Sequence, residues 1–320
     1  VYMEKIVQAP VMINHKKPDL KTRFKKSIPI YMLLIPAMLL LLAFHYAPIF
    51  GIVIAFEDYS PFRGVFGSQW VWLKHFKLFL SDENFWRVMK NTVIINLYQL
   101  TFGFPFPIIF ALFINELRSN RFKKVIQTIS YLPHFLSWVV VASIVTTILS
   151  PSTGIINNVL TSVFQMDSIY FLAKPQYFRT ILVVSSIWKN FGMSSVYYIA
   201  SLASIDQELY QAAAIDGAGR LKQTWHITLP GLRNIIIVLL VINIGSLINI
   251  GFDQIYLLYN PLVYDVGDVI STYTYRMGIE KTQYSITAAI GITQSAVNFA
   301  LVFSANKLSR LVATHEKNSW

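Results

Sequence analysis

Six charge-poor runs alternate with polar segments along the chain, within residues 27–56, 91–115, 125–150, 177–200, 234–252 and 282–306. Each approaches the roughly 20 apolar residues that a helix needs to cross a bilayer core. Backbone groups cannot go unpaired in lipid, so runs of this length are expected to be helices. Pro36, Pro48, Pro105, Pro107 and Pro133 predict kinks in or beside them. One polar interruption, residues 206–233, has a pattern of its own. Residues 207–214 are rich in strong helix formers. Asp216-Gly217 then breaks the helix: Gly217 is free to take a positive φ, and Asp216 is placed to cap a following helix. That second helix sets Leu221 and Trp225 on one face, with Arg220 and Lys222 beside them. Pro230 is expected to end the unit before the next apolar run.

Composition agrees with the pattern. Charged residues make up 13% of the 320, where soluble domains carry about 25%. With 54% hydrophobic residues the chain reads as an all-α integral membrane protein. Cys is absent, which excludes a disulfide framework, a thiolate metal site and a Cys nucleophile. The net charge of +11 would suit nucleic acid, but its placement points elsewhere. Lys and Arg gather in the arm (1–26), in 116–124, in 206–233 and in the tail (309–320), with the six-helix domain at 27–308. Such alternation is the orientation bias of membrane proteins, and it puts both termini and the 206–233 loop in the cytoplasm. The other connections are aromatic-rich, as with Trp70, Trp72 and Trp86. No cleavable signal is expected, because the first apolar run starts near residue 28 without a small-residue cleavage site.

Chemistry-bearing motifs are few. The phosphate-cradling loop GxxxxGK[ST] needs a Gly-Lys pair, and the chain has none, so ATP hydrolysis is expected on a partner and not here. The six His form no HExxH or other close pair, which argues against a metal site. No pair of membrane-embedded carboxylates is present to relay protons.

Several stretches carry a resemblance. Ala212-Ala213, Asp216-Gly217-Ala218 and Ile227-Thr228-Leu229-Pro230 resemble the "EAA" cytoplasmic loop of ABC importer permeases, with Gln211 where that family has an acid. Tyr46-Ala47-Pro48-Ile49-Phe50-Gly51, Tyr131-Leu132-Pro133-His134-Phe135, Trp188-Lys189-Asn190, Asn260-Pro261 and Asp268-Val269-Ile270 are similar to the maltose-type, oligosaccharide class. The likeness spans roughly residues 28–310 and extends to the subgroup importing alginate or pectin fragments. It implies a type I importer permease fold with six transmembrane helices and a coupling-helix loop. The implied setting is a bacterial cytoplasmic membrane, in contact with lipid, beside a second related permease and two ATPase subunits holding ATP and Mg. An extracytoplasmic binding protein would deliver the oligosaccharide, and no cofactor would sit in this chain. On this resemblance Gln211, Ala212, Ala213, Asp216, Gly217, Ala218, Leu221, Trp225, Leu229 and Pro230 couple to the ATPase. The alternative is a membrane receptor or scaffold that senses a sugar-loaded binding protein without transport.

Sugars bind to hydroxyl-matching side chains and aromatic faces, so polar residues inside the spans are candidates for a path. Asn96, Tyr98 and Gln99 in the second run precede Lys189, Asn190 and Tyr197 in the fourth. Asn243 and Asn249 follow in the fifth, and Gln294 and Asn298 in the sixth. For the carboxamides the competing role is hydrogen bonding between helices. Lys189, a cation midway along a span, either meets an acidic sugar or serves structure. Asp265, Asp268, Tyr273 and Arg276, in the polar segment before the last run, are expected to contact the binding protein.

Overall fold

The computed structural model describes residues 20–248 and 251–317; most of the basic arm, Asn249 and the last three residues lie outside them. The chain divides into two compact units, residues 1–52 and 53–320. The first holds helix α1 (Leu20–Leu41), with Pro29 and Pro36 inside it, running on through a wide π turn at Leu42–Tyr46. A stretch of tighter 3₁₀ turns, Ala47–Phe56, follows.

In the second unit a short antiparallel ribbon, β1 (Glu57–Asp58) and β2 (Gln69–Trp70), precedes a run of helices. These are α2 (Lys74–Leu80), α3 (Glu83–Tyr98), α4 (Pro105–Glu116), α5 (Asn120–Tyr131), α6 (Trp138–Ile148) and α7 (Ile155–Ser162). Then come α8 (Pro175–Leu202), α9 (Gln207–Ile215), α10 (Arg220–Gln223), α11 (Leu229–Gly245) and α12 (Phe252–Leu258). The chain ends with α13 (Tyr264–Gly267), α14 (Ile270–Tyr275) and α15 (Tyr284–Lys317). Their starts follow local chemistry. Asp82, Ser119, Ser137 and Asp206 each accept a backbone N–H of the helix they precede. Pro105, Pro175 and Pro230 sit in first turns, where a missing N–H leaves little unpaired.

Among the described residues, four helical stretches are long and apolar enough to cross a membrane: Ser27–Phe56, Glu83–Glu116, Arg220–Gly245 and Tyr284–Lys307. Helix α8 spans 28 residues but interrupts its apolar surface with polar groups. The third expected span is not one rod. It is Asn120–Phe135 followed by Trp138–Ile148, bent by 101°. Pro133 tightens the chain into a 3₁₀ turn, Leu136 and Ser137 go extended, and Ser137 starts α6 afresh. The fifth departs as well: its helix begins at Arg220 and stops at Gly245, and α12 is separate.

Helix α8 is the spine. Phe178 and Leu182 join Ile95 of α3, Ala142 of α6 and Ile255 of α12 in one buried cluster. Tyr198 and Leu202 join Ala111 of α4 and Leu232 of α11 in another. Gly192 lets α8 lie against the backbone of Ser130, where a β-carbon would collide with the Ser130 carbonyl. Just before Gly192, Lys189 resolves the bend. Its buried ammonium donates to the carbonyls of His134 at 2.7 Å and Leu136 at 2.5 Å, approaches that of Pro133 at 3.4 Å, and lies 5.5 Å from the Trp138 ring centre. Lys189 thereby supplies a donor to carbonyls at the break, where that of Pro133 also accepts from the Leu136 N–H at 3.2 Å. Of the two roles open for Lys189, this geometry supports the structural one. Lys189→Met removes hydrogen bonds made by a charged donor, at about 3 kcal/mol. We expect the purified protein in detergent to melt several degrees lower, measured by thermal unfolding.

Candidate functional site

Two features stand out: the loop over residues 206–233 and a cleft between helices. In the loop, α9 ends in a Schellman turn. Ala218 N–H bonds the Ala213 carbonyl at 2.8 Å, and Gly217 N–H bonds that of Ala214 at 3.1 Å. Gly217 adopts φ +76°, the left-handed conformation that costs a glycine nothing. Asp216 does not cap the next helix; Gly219 precedes α10 and makes no side-chain cap. Nor does Pro230 end the unit. After α10 a π turn, Thr224–Thr228, widens the helix, and Leu229 N–H reaches back to the Thr224 carbonyl. The wider turn accommodates the proline ring, so the helix continues into α11.

Three contacts hold this unit together. Tyr210 Oη meets Thr228 Oγ1 at 3.0 Å, Gln223 donates to the Ala218 carbonyl, and Arg220 pairs with Glu116 at the end of α4 at 3.1 Å. Four large apolar side chains face outward: Leu209, Ile215, Leu221 and Trp225, the last two 78% and 67% exposed. Gln211, Ala212 and Pro230 are exposed, while Ala213, Ala218 and Leu229 are half-buried.

The cleft opens where α3 gives way to a π turn, Gln99–Gly103, and encloses ≈ 320 Å³ between α3, α4, α8 and α11. It collects Asn190, Tyr197 and Asn243 from the expected path, with Asn96 and Gln99. The others fall elsewhere. Lys189 is held at the bend, and Tyr98 does not line the cleft. Gln294 donates to the Ile248 carbonyl at 2.9 Å, and Asn298 has a buried carboxamide oxygen without a hydrogen-bond partner among the described residues. Asn249 lies outside the described residues. Among these residues no group of three or more His, Asp or Glu could hold a metal ion.

Residues 103–314 match the family "Binding-protein-dependent transport system inner membrane component". The chain belongs to that family. This permease is 43% identical to Protein LplB of Bacillus subtilis (strain 168), over 94% of this chain and 95% of that one. It is 39% identical to the polygalacturonan/rhamnogalacturonan transport system permease protein YteP of the same organism, over 95% and 94%. A chain of a bacterial ABC transporter involved in the import of the acidic polysaccharide alginate superposes with TM-score 0.84 at 42% identity, covering 92% of this chain and 99% of that chain. A chain of the bacterial alginate ABC transporter in complex with an alginate pentasaccharide-bound periplasmic protein gives 0.83 at 42%, covering 92% and 98%.

At the opposite end of the permease from the loop, the segment before α15 is knitted to α3 and α8. Asp268 is fully buried. It accepts from Thr272 Oγ1 at 2.8 Å and from both Arg276 guanidinium NH₂ groups, at 3.3 and 2.5 Å. Tyr273 Oη donates to Asp82 at 2.8 Å. Asn91 donates to the Asp265 and Asp268 carbonyls, and its own oxygen accepts from Arg179 at 2.8 Å. Asp268 and Tyr273, expected at a surface for the binding protein, are therefore inside, and Arg276 is committed to Asp268. Asp265 remains outward, paired with Arg87 at 2.8 Å. Burial alone would lower the Arg276 pKa, but Asp268 reverses this and raises it. Burial likewise pushes Asp82 up, and the hydrogen bonds from Tyr273 and Asn84 outweigh it and bring its carboxyl below the usual value. Tyr273 is raised by burial and by its bond to Asp82. Arg179 and Gly192 carry no signal in the sequence, because each acts through a partner more than 60 positions away. Asp268→Ala leaves the Arg276 guanidinium without its counter-ion, at about 3 kcal/mol. A melting temperature lowered by several degrees, with Asp265→Ala unchanged, is the expected result.

Proposed function

We propose that this permease is one half of the gate of an ATP-driven importer, carrying oligosaccharides across a bacterial cytoplasmic membrane. The observation that carries the reading is the 206–233 loop. Two short helices, fixed by a Schellman turn and cross-bonded, hold Leu209, Ile215, Leu221 and Trp225 out to solvent. An exposed apolar set on a rigid polar unit suits a protein partner. We assign that partner as an ATPase subunit, because the chain itself has no phosphate-binding loop. The likeness to an alginate transporter crystallised with a sugar-bound periplasmic protein supports delivery by such a protein on the other side. The names of YteP and of the alginate transporter support oligosaccharide as cargo. A second, related permease would complete the gate, and the concentration of basic residues supports both termini and the loop facing the cytoplasm.

In mechanism, closure of the ATPase pair moves the loop, and the continuous helix from Arg220 to Gly245 carries that movement to Asn243 in the cleft. Access alternates as helices rock about the bound sugar. The test is uptake of labelled oligosaccharide by the reconstituted complex; a receptor or scaffold would bind its partners and take up nothing. Trp225→Ala should cut ATPase association by more than about tenfold, as for an aromatic anchor. Because Trp225 is largely exposed, the variant should stay folded in the membrane, which size-exclusion chromatography checks. Gly217→Asp, which puts a β-carbon in the left-handed turn, should abolish uptake while leaving the amount of membrane protein unchanged.

A further inference from the structure

The polar groups of the cleft carry a direction as well as a position. Asn96 donates both amide hydrogens to backbone carbonyls, of Thr92 at 3.1 Å and Leu247 at 2.6 Å. Asn243 donates to the Leu239 carbonyl at 2.8 Å, and Asn190 to that of Ser186 at 3.0 Å. Ser246 also turns its hydroxyl hydrogen to a carbonyl, that of Asn243 at 3.0 Å. A backbone carbonyl can only accept, so these partners fix which way each amide faces. Asn96 has both amide hydrogens committed, Asn190 and Asn243 have one of two each, and the amide oxygens of all three are left to accept. The Asn190 oxygen lies 3.3 Å from His134 Nδ1; those of Asn96 and Asn243 have no such partner among the described residues. No Lys, Arg, Asp or Glu lines the cleft among the described residues. The ammonium of Lys189, the neighbour of Asn190 in sequence, is taken up by carbonyls at the bend.

We propose that this cleft takes an uncharged glycosyl unit, one whose hydroxyls donate to Asn96, Asn243 and Ser246, and that it disfavours a uronate carboxylate. This rests on the reading of the permease as an oligosaccharide importer. A hydroxyl donates and accepts, and so completes an amide oxygen. A carboxylate only accepts. Placed beside these amide oxygens, it gains no counter-charge in return for the hydration it gives up. An acidic oligosaccharide would have to keep its carboxylates outside this cleft.

The test compares three trisaccharides of one shape: a galactose trimer, a galacturonate trimer, and the methyl ester of the latter. Each is titrated, without the binding protein, onto the assembled transporter in nanodiscs, and followed by saturation-transfer NMR. The galactose trimer and the ester are expected to bind alike, and the free uronate at least about tenfold more weakly. Asn243→Ala should weaken both neutral ligands several-fold and leave the uronate where it was. A uronate that binds as tightly as its ester overturns the inference, as does neutral binding indifferent to Asn243→Ala. Uptake by the complete complex separates this from the importer reading. If uronates and neutral sugars are taken up and bound alike, only the present inference fails; if no glycan is taken up, the importer reading fails.

Discussion

A carbonyl oxygen at the end of a helix has lost its N–H partner, and inside hydrocarbon no water replaces it. This constraint organises the molecule. At several breaks among the described helices, a side-chain donor from another element bonds the carbonyls there. Lys189 serves the carbonyls at the bend between α5 and α6. Asn96 serves Leu247 just past the end of α11, and Gln294 serves Ile248 beside it. Asn157 holds the carbonyls of Leu149, Ser150 and Ile169.

The breaks have a use. An unbroken bundle of straight helices packs without room for a sugar, whereas the π turn at Gln99–Gly103 and the end of α11 at Gly245 leave the space of the cleft. The donors that repair the breaks therefore also shape the cavity. Asn96 does both, lining the cleft with the same carboxamide that closes off Leu247. The polarity of the lining is thus a consequence of how the fold satisfies its own backbone.

This explains which features were legible in the sequence. The Schellman turn at Gly217 depends on residues 213–218 alone, so Asp216-Gly217-Ala218 could announce it. The helix over Gln207–Ile215 was equally local. Pro230 was misread because the rule that proline ends a helix assumes α spacing, and the π turn before it changes the spacing. The bend after Pro133 was legible only as a kink, since its depth depends on Lys189, some 55 positions away. Asp268 and Tyr273 looked like surface residues because polar, aromatic segments usually are, and their partners Arg276 and Asp82 had to be seen in three dimensions. The polar residues of the spans are visible in the sequence, but sorting those that line the cleft from those that bond other helices required the three-dimensional partners.

The loop and the cleft share structural elements. Arg220, which pairs with Glu116 at the end of α4, begins the helical stretch that ends at Gly245. Pro107 of α4 and Asn243 of α11 both line the cleft. Tyr210 bonds Thr228 within the π turn, so α9 is fixed to the base of the same stretch. A displacement of Trp225 thus cannot be absorbed by a slack linker between loop and span, because Arg220 to Gly245 is helix throughout. It must either open the π turn, breaking the Leu229–Thr224 bond, or move α11 as a body. Moving α11 shifts Asn243 relative to α8, and the cleft changes shape with it. A helix unbroken at Pro230 therefore makes a stiffer connection than the two separate pieces expected from the sequence.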